Sequence, residues 1–351
     1  DSVFADIGFY DLERIEVLKG PQGTLNGRNA TTGVINFITA RPTSETEGSI
    51  DVLLGNYDAK RTTMVLNSPL ADNLFGRIAF VVNQRDGYMD NLYLDSKYDD
   101  RNESSVRLSL DWLINDTATL SLTTQHNSAD DSRPQEHLSF CQPDQFYGCS
   151  PFVRGPGNTA ADYRGHYAGA IGFLAHLYPG VITNSYAGAL VSDDPFRKTY
   201  LNRNPSHDQN TSFSTLEFRQ EFENYTFVAK YSYDTREFHQ MNDNDGSVAV
   251  APFPGLAKLL NPAIPDVEGI IDYLKFSEFT DSARAYDFSD VYSNDQQFEL
   301  NIISDFDGAF NYTLGVYTYD GRNDNNYTVH TAGGGFLANF GNHPYNAVFQ
   351  S

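Results

Sequence analysis

The residues with the most specific spacing in this 351-residue sequence lie between Glu13 and Pro42. Two strand-like runs, residues 14–18 and 34–39, flank a glycine-rich loop, and such loops can cradle a phosphate group. Because glycine tolerates positive φ and proline fixes its own φ, we expect a specified loop and not a floppy linker. The candidate functional residues of this segment are Arg14, Glu16, Gly20, Pro21, Gly23, Gly27, Arg28, Asn29, Gly33 and Asn36.

Phosphate binding by this loop is not favoured by its detailed sequence. A Walker loop requires Gly-Lys-Ser/Thr at the start of a helix, whereas Gly27 is followed by Arg28 and Asn29. No dinucleotide-binding spacing opens onto a helix either. Neither kind of nucleotide-binding loop is therefore predicted here.

Other catalytic and metal-binding patterns are missing from the sequence. The eight histidines are scattered, and neither a His-Glu-x-x-His pattern nor a Gly-x-Ser-x-Gly elbow occurs. The acidic stretch 241–246 resembles the start of a calcium loop, but Met241 occupies its first ligand position and the closing glutamate is missing. We predict no catalytic residue, no metal site, no cofactor and no enzymatic activity.

The charge of the chain argues against one class of partner. The net charge is −22, from 46 acidic and 24 basic residues, and no local basic patch is visible, so nucleic acid is not an expected partner. The acidity can serve solubility, or it can create a field at a loop-covered mouth that attracts divalent ions or cationic ligands. Composition alone leaves both readings open.

The two cysteines lie close together in a polar segment. Cys141 and Cys149 are separated by seven residues, which fits a small local disulfide in an oxidising compartment. A zinc site built on these cysteines would need more ligands, and His137 is the one histidine close by in sequence. The disulfide is the favoured interpretation.

Alternation of apolar and polar residues dominates the chain after about residue 48. The clearest run places Val106, Leu108, Leu110, Trp112 and Ile114 opposite Arg107, Ser109 and Asp111. Such alternation predicts strands that separate two different solvents. The longest apolar run is residues 78–82, too short for a membrane helix, which needs about 20 apolar residues. Strands of about 10 residues can nevertheless cross a bilayer.

The connections between the predicted strands alternate between short and long. The short ones contain Asn, Asp and Gly, as tight hairpins require. The long ones are predicted at about residues 86–102, 129–210, 240–294 and 321–351. Long loops at one end and short turns at the other are typical of outer-membrane β-barrels, whose interior is polar. The sequence therefore predicts an all-β fold with about nine antiparallel transmembrane strands.

The block Glu13–Pro42 resembles the C-terminal half of the plug domain of TonB-dependent outer-membrane receptors. The matching features, in order, are R-I-E-V, G-P, a single G, G-R-N-A-T, G-V-I-N and R-P, while Thr32 and Asn26 depart from the usual pattern. The resemblance implies part of a small α+β plug in residues 1–42. Residues 43–351 would then be the N-terminal part of a barrel that has roughly 22 strands in the family. The sequence is interpreted as an internal fragment.

The resemblance further implies active import across the outer membrane of a Gram-negative bacterium. The expected ligand is scarce: a siderophore–iron complex, a cobalamin or an oligosaccharide. The implied partners are the TonB–ExbB–ExbD complex, reached through an N-terminal TonB box outside this sequence, and outer-membrane lipid with lipopolysaccharide. Plug arginines of the family pair with glutamates of the inner barrel wall, and Arg14 matches one of them. Because its partners are expected in strands outside the sequence, Arg14 is predicted to look unpaired.

Two alternatives remain at this point. A passive channel or a surface ligand-binding protein would share the barrel but would not require a TonB box. A soluble all-β carbohydrate-binding module would require apolar inner faces, which the alternating polar faces argue against.

Overall fold

The computed structural model describes residues 9–21, 32–134, 197–243 and 284–332, together with residues 143–144, 148–149, 176 and 248. Among them, no helix is both long and apolar enough to cross a membrane. The strands of the described residues, in chain order, are β1 (Leu12–Lys19), β2 (Gly33–Thr39), β3 (Glu47–Gly55), β4 (Ala59–Ala71), β5 (Leu74–Arg85), β6 (Met89–Asn91), β7 (Ser96–Tyr98), β8 (Arg101–Asn115), β9 (Ala118–Asp131), β10 (Pro143–Asp144), β11 (Gly148–Cys149), β12 (Lys198–Thr199), β13 (Ser206–Glu221), β14 (Tyr225–Asp243), β15 (Arg284–Ser304) and β16 (Thr313–Ala332).

One sheet of nine strands dominates the described residues. Its order is β16-β15-β14-β13-β9-β8-β5-β4-β3, so each long strand lies beside its predecessor in the chain. Every neighbouring pair is antiparallel. The prediction of an all-β, antiparallel sheet of about nine strands is confirmed.

The register of this sheet separates an apolar face from a polar face. One row of paired positions crosses six strands as Trp112, Leu120, Phe218, Ala229, Leu300 and Val316. The same face carries exposed apolar side chains of the other strands: Ile50, Val52, Leu54, Met64, Leu66, Ile78 and Phe80. We call it the outer face. An exposed apolar surface of this extent is typical of a face that contacts lipid, not water.

The opposite face, the inner face, is polar and partly buried. On β8 it carries Glu103, Ser105, Arg107, Ser109 and Asp111, each at most 9% exposed. Their partners on β9 include Ser121, Thr123 and Gln125. The alternation predicted from sequence thus places charges and hydroxyls on one side of a sheet whose other side is apolar.

The two ends of the sheet differ in their connections. At one end, residues 72–73, 116–117, 222–224 and 305–312 join the strands, and we call it the short-turn end. Exposed Trp112, Tyr225 and Tyr312 lie near it. Residues 86–100, 132–205 and 244–283 join strands at the other end, the long-connection end, where the short turn 56–58 also lies.

The strands extend further into the predicted loops than their sequence indicated. β13 begins at Ser206, β15 begins at Arg284 and β16 continues to Ala332, inside the segments 129–210, 240–294 and 321–351. The segment 86–102 contains β6, β7 and the start of β8. These segments are rich in Asn and Asp, which favour turns, but the backbone ladder of the neighbouring strand continues past the apolar residues and overrides that preference.

A two-stranded sheet precedes the large one. β1 and β2 pair antiparallel, with Lys19 opposite Gly33. The Gly20 N–H donates to the carbonyl of Thr32 at 3.1 Å, and Gly20 has a φ of +87° that few other residues adopt. A Cβ on Gly33 would lie 2.7 Å from the carbonyl oxygen of Leu18, so only glycine fits this hairpin without a shift.

Replacing Gly33 by alanine is expected to destabilise this hairpin by about 1–3 kcal/mol, because the new methyl group meets rigid backbone. Hydrogen exchange of the β1 and β2 amides measures the effect directly. Gly308→Ala is the matched control, since a Cβ there meets no atom within 4 Å. Equal protection of the hairpin in both variants would contradict the prediction.

A small three-stranded sheet ties two connections together at the long-connection end. β6 pairs antiparallel with β7 and parallel with β12. Met89, Tyr98 and Leu201 form a buried cluster, and burial raises the pKa of the Tyr98 phenol to about 12. Asn91 is 1% exposed and its Nδ2 donates to the carbonyl of Leu201 at 3.1 Å. The segment 86–100 and the segment after residue 197 are therefore one packed unit.

Candidate functional site: the contact between the N-terminal segment and the inner face

The N-terminal segment, described at residues 9–21 and 32–46, is held against the inner face by three arginines. The first is Arg77, on the inner face of β5. Its Nε donates to Asp11 Oδ2 at 2.9 Å and its Nη2 donates to Asp11 Oδ1 at 2.5 Å. The side chains are 12% and 6% exposed, so this bidentate pair is largely removed from water. Glu47 accepts a further bond from Arg77 Nη1 at 2.9 Å.

The second arginine, Arg107 on β8, contacts Tyr10, the residue before Asp11. Its guanidinium carbon lies 4.5 Å from the centroid of the Tyr10 ring, and its Nη1 donates to the Tyr10 carbonyl at 3.2 Å. Gln125 Oε1 accepts from Arg107 Nε at 2.8 Å. The Tyr10 hydroxyl lies 2.8 Å from Ser105 Oγ, and burial raises the pKa of this phenol. Tyr10 also packs against Ala79 and Val81, which adds an apolar contact to the polar ones.

The third arginine belongs to the N-terminal segment itself. Arg41 follows β2 and donates through Nη2 and Nε to the two carboxylate oxygens of Asp111, at 3.1 and 3.2 Å, and through Nη2 to Ser121 Oγ. The inner face is acidic at this level, because Glu217 lies next to Ser121 in the ladder. Here a cation of the N-terminal segment faces carboxylates of the sheet. At Arg77 the arrangement is reversed, because the sheet carries the cation and the segment carries the carboxylate.

The end of the segment, between Arg41 and Glu47, leads to β3, and we call it the link. One amide side chain holds it in place. Asn67 on β4 is fully buried, and its Oδ1 accepts from the Thr43 N–H at 3.0 Å. Its Nδ2 lies within hydrogen-bond distance of three oxygens: the Thr43 carbonyl, Thr43 Oγ1 and the Glu45 carbonyl. Because both functional groups of the amide bond the link, Asn67 specifies its path as well as its position.

The structure corrects the expectation for Arg14. Its side chain is 52% exposed and is paired within its own hairpin, with Glu13 at 2.5 Å and Glu16 at 2.7 Å. The hydrogen bond with Arg14 lowers the pKa of Glu16, and Asn36 bonds the same carboxylate. Arg14 was expected to look unpaired, and it is not, because carboxylates on its own strand lie within reach.

The other predicted residues divide by location. Gly20, Pro21, Gly33 and Asn36 belong to the hairpin and its turn. Gly23, Gly27, Arg28 and Asn29 lie outside the described residues, and so does Cys141, one half of the predicted disulfide. In the described ranges, no three side chains from His, Cys, Asp and Glu converge to hold a metal ion.

Sequence reasoning missed the residues that make the contact: Tyr10, Asp11, Arg41, Asn67, Arg77 and Arg107. Their partners lie between 22 and 97 residues away in the chain, so no local spacing reveals them. A weaker signal was present, because Arg107 is a bulky cation between two serines, Ser105 and Ser109, on the polar face of its strand. Such cations require a partner across the face.

The chain matches receptors in sequence and in structure. It is 37% identical over 82 residues to the pesticin receptor of Yersinia enterocolitica, covering 23% of this chain and 12% of that protein. It is 28% identical over 145 residues to the metal-pseudopaline receptor of Pseudomonas aeruginosa, covering 39% and 20%. The crystal structure of the ferric yersiniabactin uptake receptor FyuA from Yersinia pestis matches with a TM-score of 0.59 at 16% identity, over 91% of this chain and 38% of that one. No family model matches.

These matches and the strand pattern point to the same group of proteins. The chain is a homologue of the TonB-dependent outer-membrane receptors. Receptors of this family reside in the outer membrane of Gram-negative bacteria, which agrees with the predicted localisation. The antiparallel all-β fold agrees with the architecture of the family. The chain spans 12% and 20% of the length of the two curated receptors.

Proposed function

We propose that the protein is a TonB-dependent importer that carries a metal–siderophore complex across the outer membrane. Residues 1–42 would be the C-terminal part of the plug and residues 43–351 the N-terminal part of the barrel. The contacts made by Arg41, Arg77 and Arg107 carry this proposal, because a charge-paired N-terminal segment on a polar inner face is what a plugged lumen requires. The exposed apolar outer face supports a place in the bilayer.

The contact is suited to a plug that must be displaced. A buried ion pair adds little net stability, because desolvation of the charges offsets their attraction, but removal of one partner is costly. The position of the N-terminal segment on the inner face is therefore specific, although the ion pairs add little net stability to it. The contact combines the Asp11–Arg77 and Arg41–Asp111 ion pairs with the Tyr10 hydrogen bond, and a pull on the segment would have to break all three.

The ligand class is proposed from the relatives. The matched proteins are named as receptors for pesticin and metal-pseudopaline and, among the structures, for ferric yersiniabactin uptake. These names favour an iron– or metal–siderophore complex over a cobalamin or an oligosaccharide. They also favour a transporter over an enzyme. The long connections after β5, β9, β14 and β16 would face the exterior and receive the ligand.

The partners follow from the same assignment. Import would be driven by the TonB–ExbB–ExbD complex acting on an N-terminal box, with outer-membrane lipid and lipopolysaccharide around the outer face. A passive channel with a plug-like insert is the second candidate. The buried contact at Asp11 and Arg77 disfavours it, because a permanent lumen has no use for a segment seated by paired charges.

Energy dependence separates the two candidates. The full-length receptor is expressed in outer membranes, and uptake of radiolabelled ferric siderophores is measured with the protonmotive force intact and collapsed. Loss of uptake on collapse, with ligand binding to the cells retained, is the expected result. Uptake that continues unchanged after collapse would establish a passive channel and overturn the importer.

A further inference from the structure

Two arginines and two tyrosines meet at the long-connection end, from three separate segments. Tyr57 lies in the short turn between β3 and β4, Arg85 and Tyr88 lie where β5 ends, and Arg197 immediately precedes β12. Arg85 continues the inner-face alternation of β5, on the same side as Arg77. We call these four residues the arginine–tyrosine cluster.

The two guanidinium groups lie against the same aromatic ring. The guanidinium carbons of Arg85 and Arg197 are 4.7 and 5.2 Å from the centroid of Tyr88. Arg197 is also 5.9 Å from the Tyr57 ring centroid, and its Nη1 donates to the Tyr57 hydroxyl at 3.1 Å. Because that hydroxyl accepts from Arg197, its own proton remains available to an acceptor.

The backbone holds the cluster in place. The Asp86 N–H donates to the carbonyl of Tyr57 at 2.8 Å, and the Asp90 N–H donates to the carbonyl of Arg197 at 2.8 Å. Tyr57 has a φ of +61°, a conformation that costs a non-glycine residue energy and persists only when the surroundings enforce it. A Cβ on Gly87 would lie 2.5 Å from the Tyr98 carbonyl oxygen, so glycine is required beside Tyr88.

The two arginines differ in how their charge is balanced. Arg85 donates to the carbonyl of Asp99 at 2.6 Å and lies 3.9 Å from its carboxylate. The hydrogen bond from Tyr88 to the same carboxylate raises the pKa of the Tyr88 phenol. Arg197 is exposed and forms no ion pair with any carboxylate of the described residues, in a chain of net charge −22. It is a cation oriented by aromatic rings, and no carboxylate in the part of the chain that the structure describes neutralises it.

We propose that the arginine–tyrosine cluster binds an anionic ferric chelate through its carboxylate or catecholate oxygens. This rests on the proposed import function and names the charge class of its ligand. Arg197 donates from its planar fork, and the Tyr57 hydroxyl donates its free proton. The cluster lies on the inner-face side of the long-connection end, where a ligand would enter the lumen.

Binding to de-energised outer membranes that carry the full-length receptor tests this assignment, because it removes the transport step. The probes are radiolabelled ferric tris(2,3-dihydroxybenzoate) and ferric citrate, both anionic, and a neutral ferric trihydroxamate. Arg197→Gln is expected to weaken binding of an anionic probe by about tenfold, the worth of one charge-assisted hydrogen bond, and to leave the neutral probe unchanged. Tyr57→Phe, which keeps the ring, is expected to weaken the anionic probe by a smaller factor.

Arg203→Gln is the matched control, since Arg203 is an exposed arginine six residues further on whose side chain forms no hydrogen bond or ion pair with the described residues. The proposal is overturned if Arg197→Gln and Arg203→Gln bind the anionic probes alike. It is overturned equally if anionic and neutral probes weaken together, which would assign Arg197 a purely structural role, or if no anionic probe binds. Persistence of uptake after collapse of the protonmotive force would instead remove the importer and leave the binding assignment standing.

Discussion

Replacing Arg77 by alanine is expected to release the N-terminal segment from the inner face, at a cost of about 3 kcal/mol. Asp11 is 6% exposed and loses its bidentate partner, so a buried carboxylate remains without a direct counter-ion. Arg107 stays nearby and reduces the penalty, which places the estimate at the low end for a broken buried pair. Hydrogen exchange of β1 and β2 in the full-length receptor measures the release. Passage of a hydrophilic solute through the lumen measures its functional result.

The control for Arg77 is Arg14, which lies on the hairpin but pairs only within it. Both of its partners are exposed carboxylates, so Arg14→Ala is expected to leave the position of the segment on the inner face nearly unchanged. A double-mutant cycle of Arg77→Ala with Asp11→Asn isolates the energy of the pair. Equal effects of Arg14→Ala and Arg77→Ala would show that the ion pair does not hold the segment.

Replacing Asn67 by alanine is the second change expected to have a large effect. The substitution removes every hydrogen bond between the amide and the link at Thr43 and Glu45, and so takes a partner from three backbone groups of the link. The expected cost is about 3 kcal/mol, from several hydrogen bonds of about 1 kcal/mol each. The link between Arg41 and Glu47 should then open to proteases while the nine-stranded sheet remains folded.

Asn73→Ala provides the comparison for Asn67. Its Nδ2 makes one hydrogen bond, to the carbonyl of Leu113 at 2.9 Å, at an exposed turn. A loss of about 1 kcal/mol or less is expected there, without cleavage of the link. If Asn67→Ala leaves the link as resistant to proteolysis as Asn73→Ala does, the path of the chain is set by other contacts.

The sheet could be predicted from the sequence because its information is local. In the run from Val106 to Ile114, every second residue is apolar, and this alternation decides which side chains share a face. Strand ends were less predictable. Residues 321–332 are polar and read as a loop, yet β16 continues there because the ladder of β15 supplies hydrogen bonds irrespective of side chain.

The contact with the inner face could not be predicted in the same way. Arg14 matches a family pattern but pairs only within its own hairpin, whereas Arg77 pairs with the N-terminal segment across the inner face. The difference lies in geometry, because Asp11 reaches β5 only when the turn before β1 adopts a φ of +51° at that residue. Contacts across 66 residues depend on how two elements dock, and a single sequence contains no direct record of docking.

The anchoring of the long connection between β9 and β13 bears on how such a receptor can diversify. On one side, the Ser132 N–H donates to Asp100 Oδ1 at 2.7 Å, and on the other, β12 pairs with β6. Both ends of the connection are therefore attached to the segment 86–100, whatever sequence joins them. Since the entropy of closing a loop grows slowly with its length, exchange of residues 135–196 for a longer or shorter segment should cost the sheet little. Recombination at two fixed joints can then change this interval, and a chimera that exchanges it with the corresponding interval of a related receptor should keep its nine-stranded sheet.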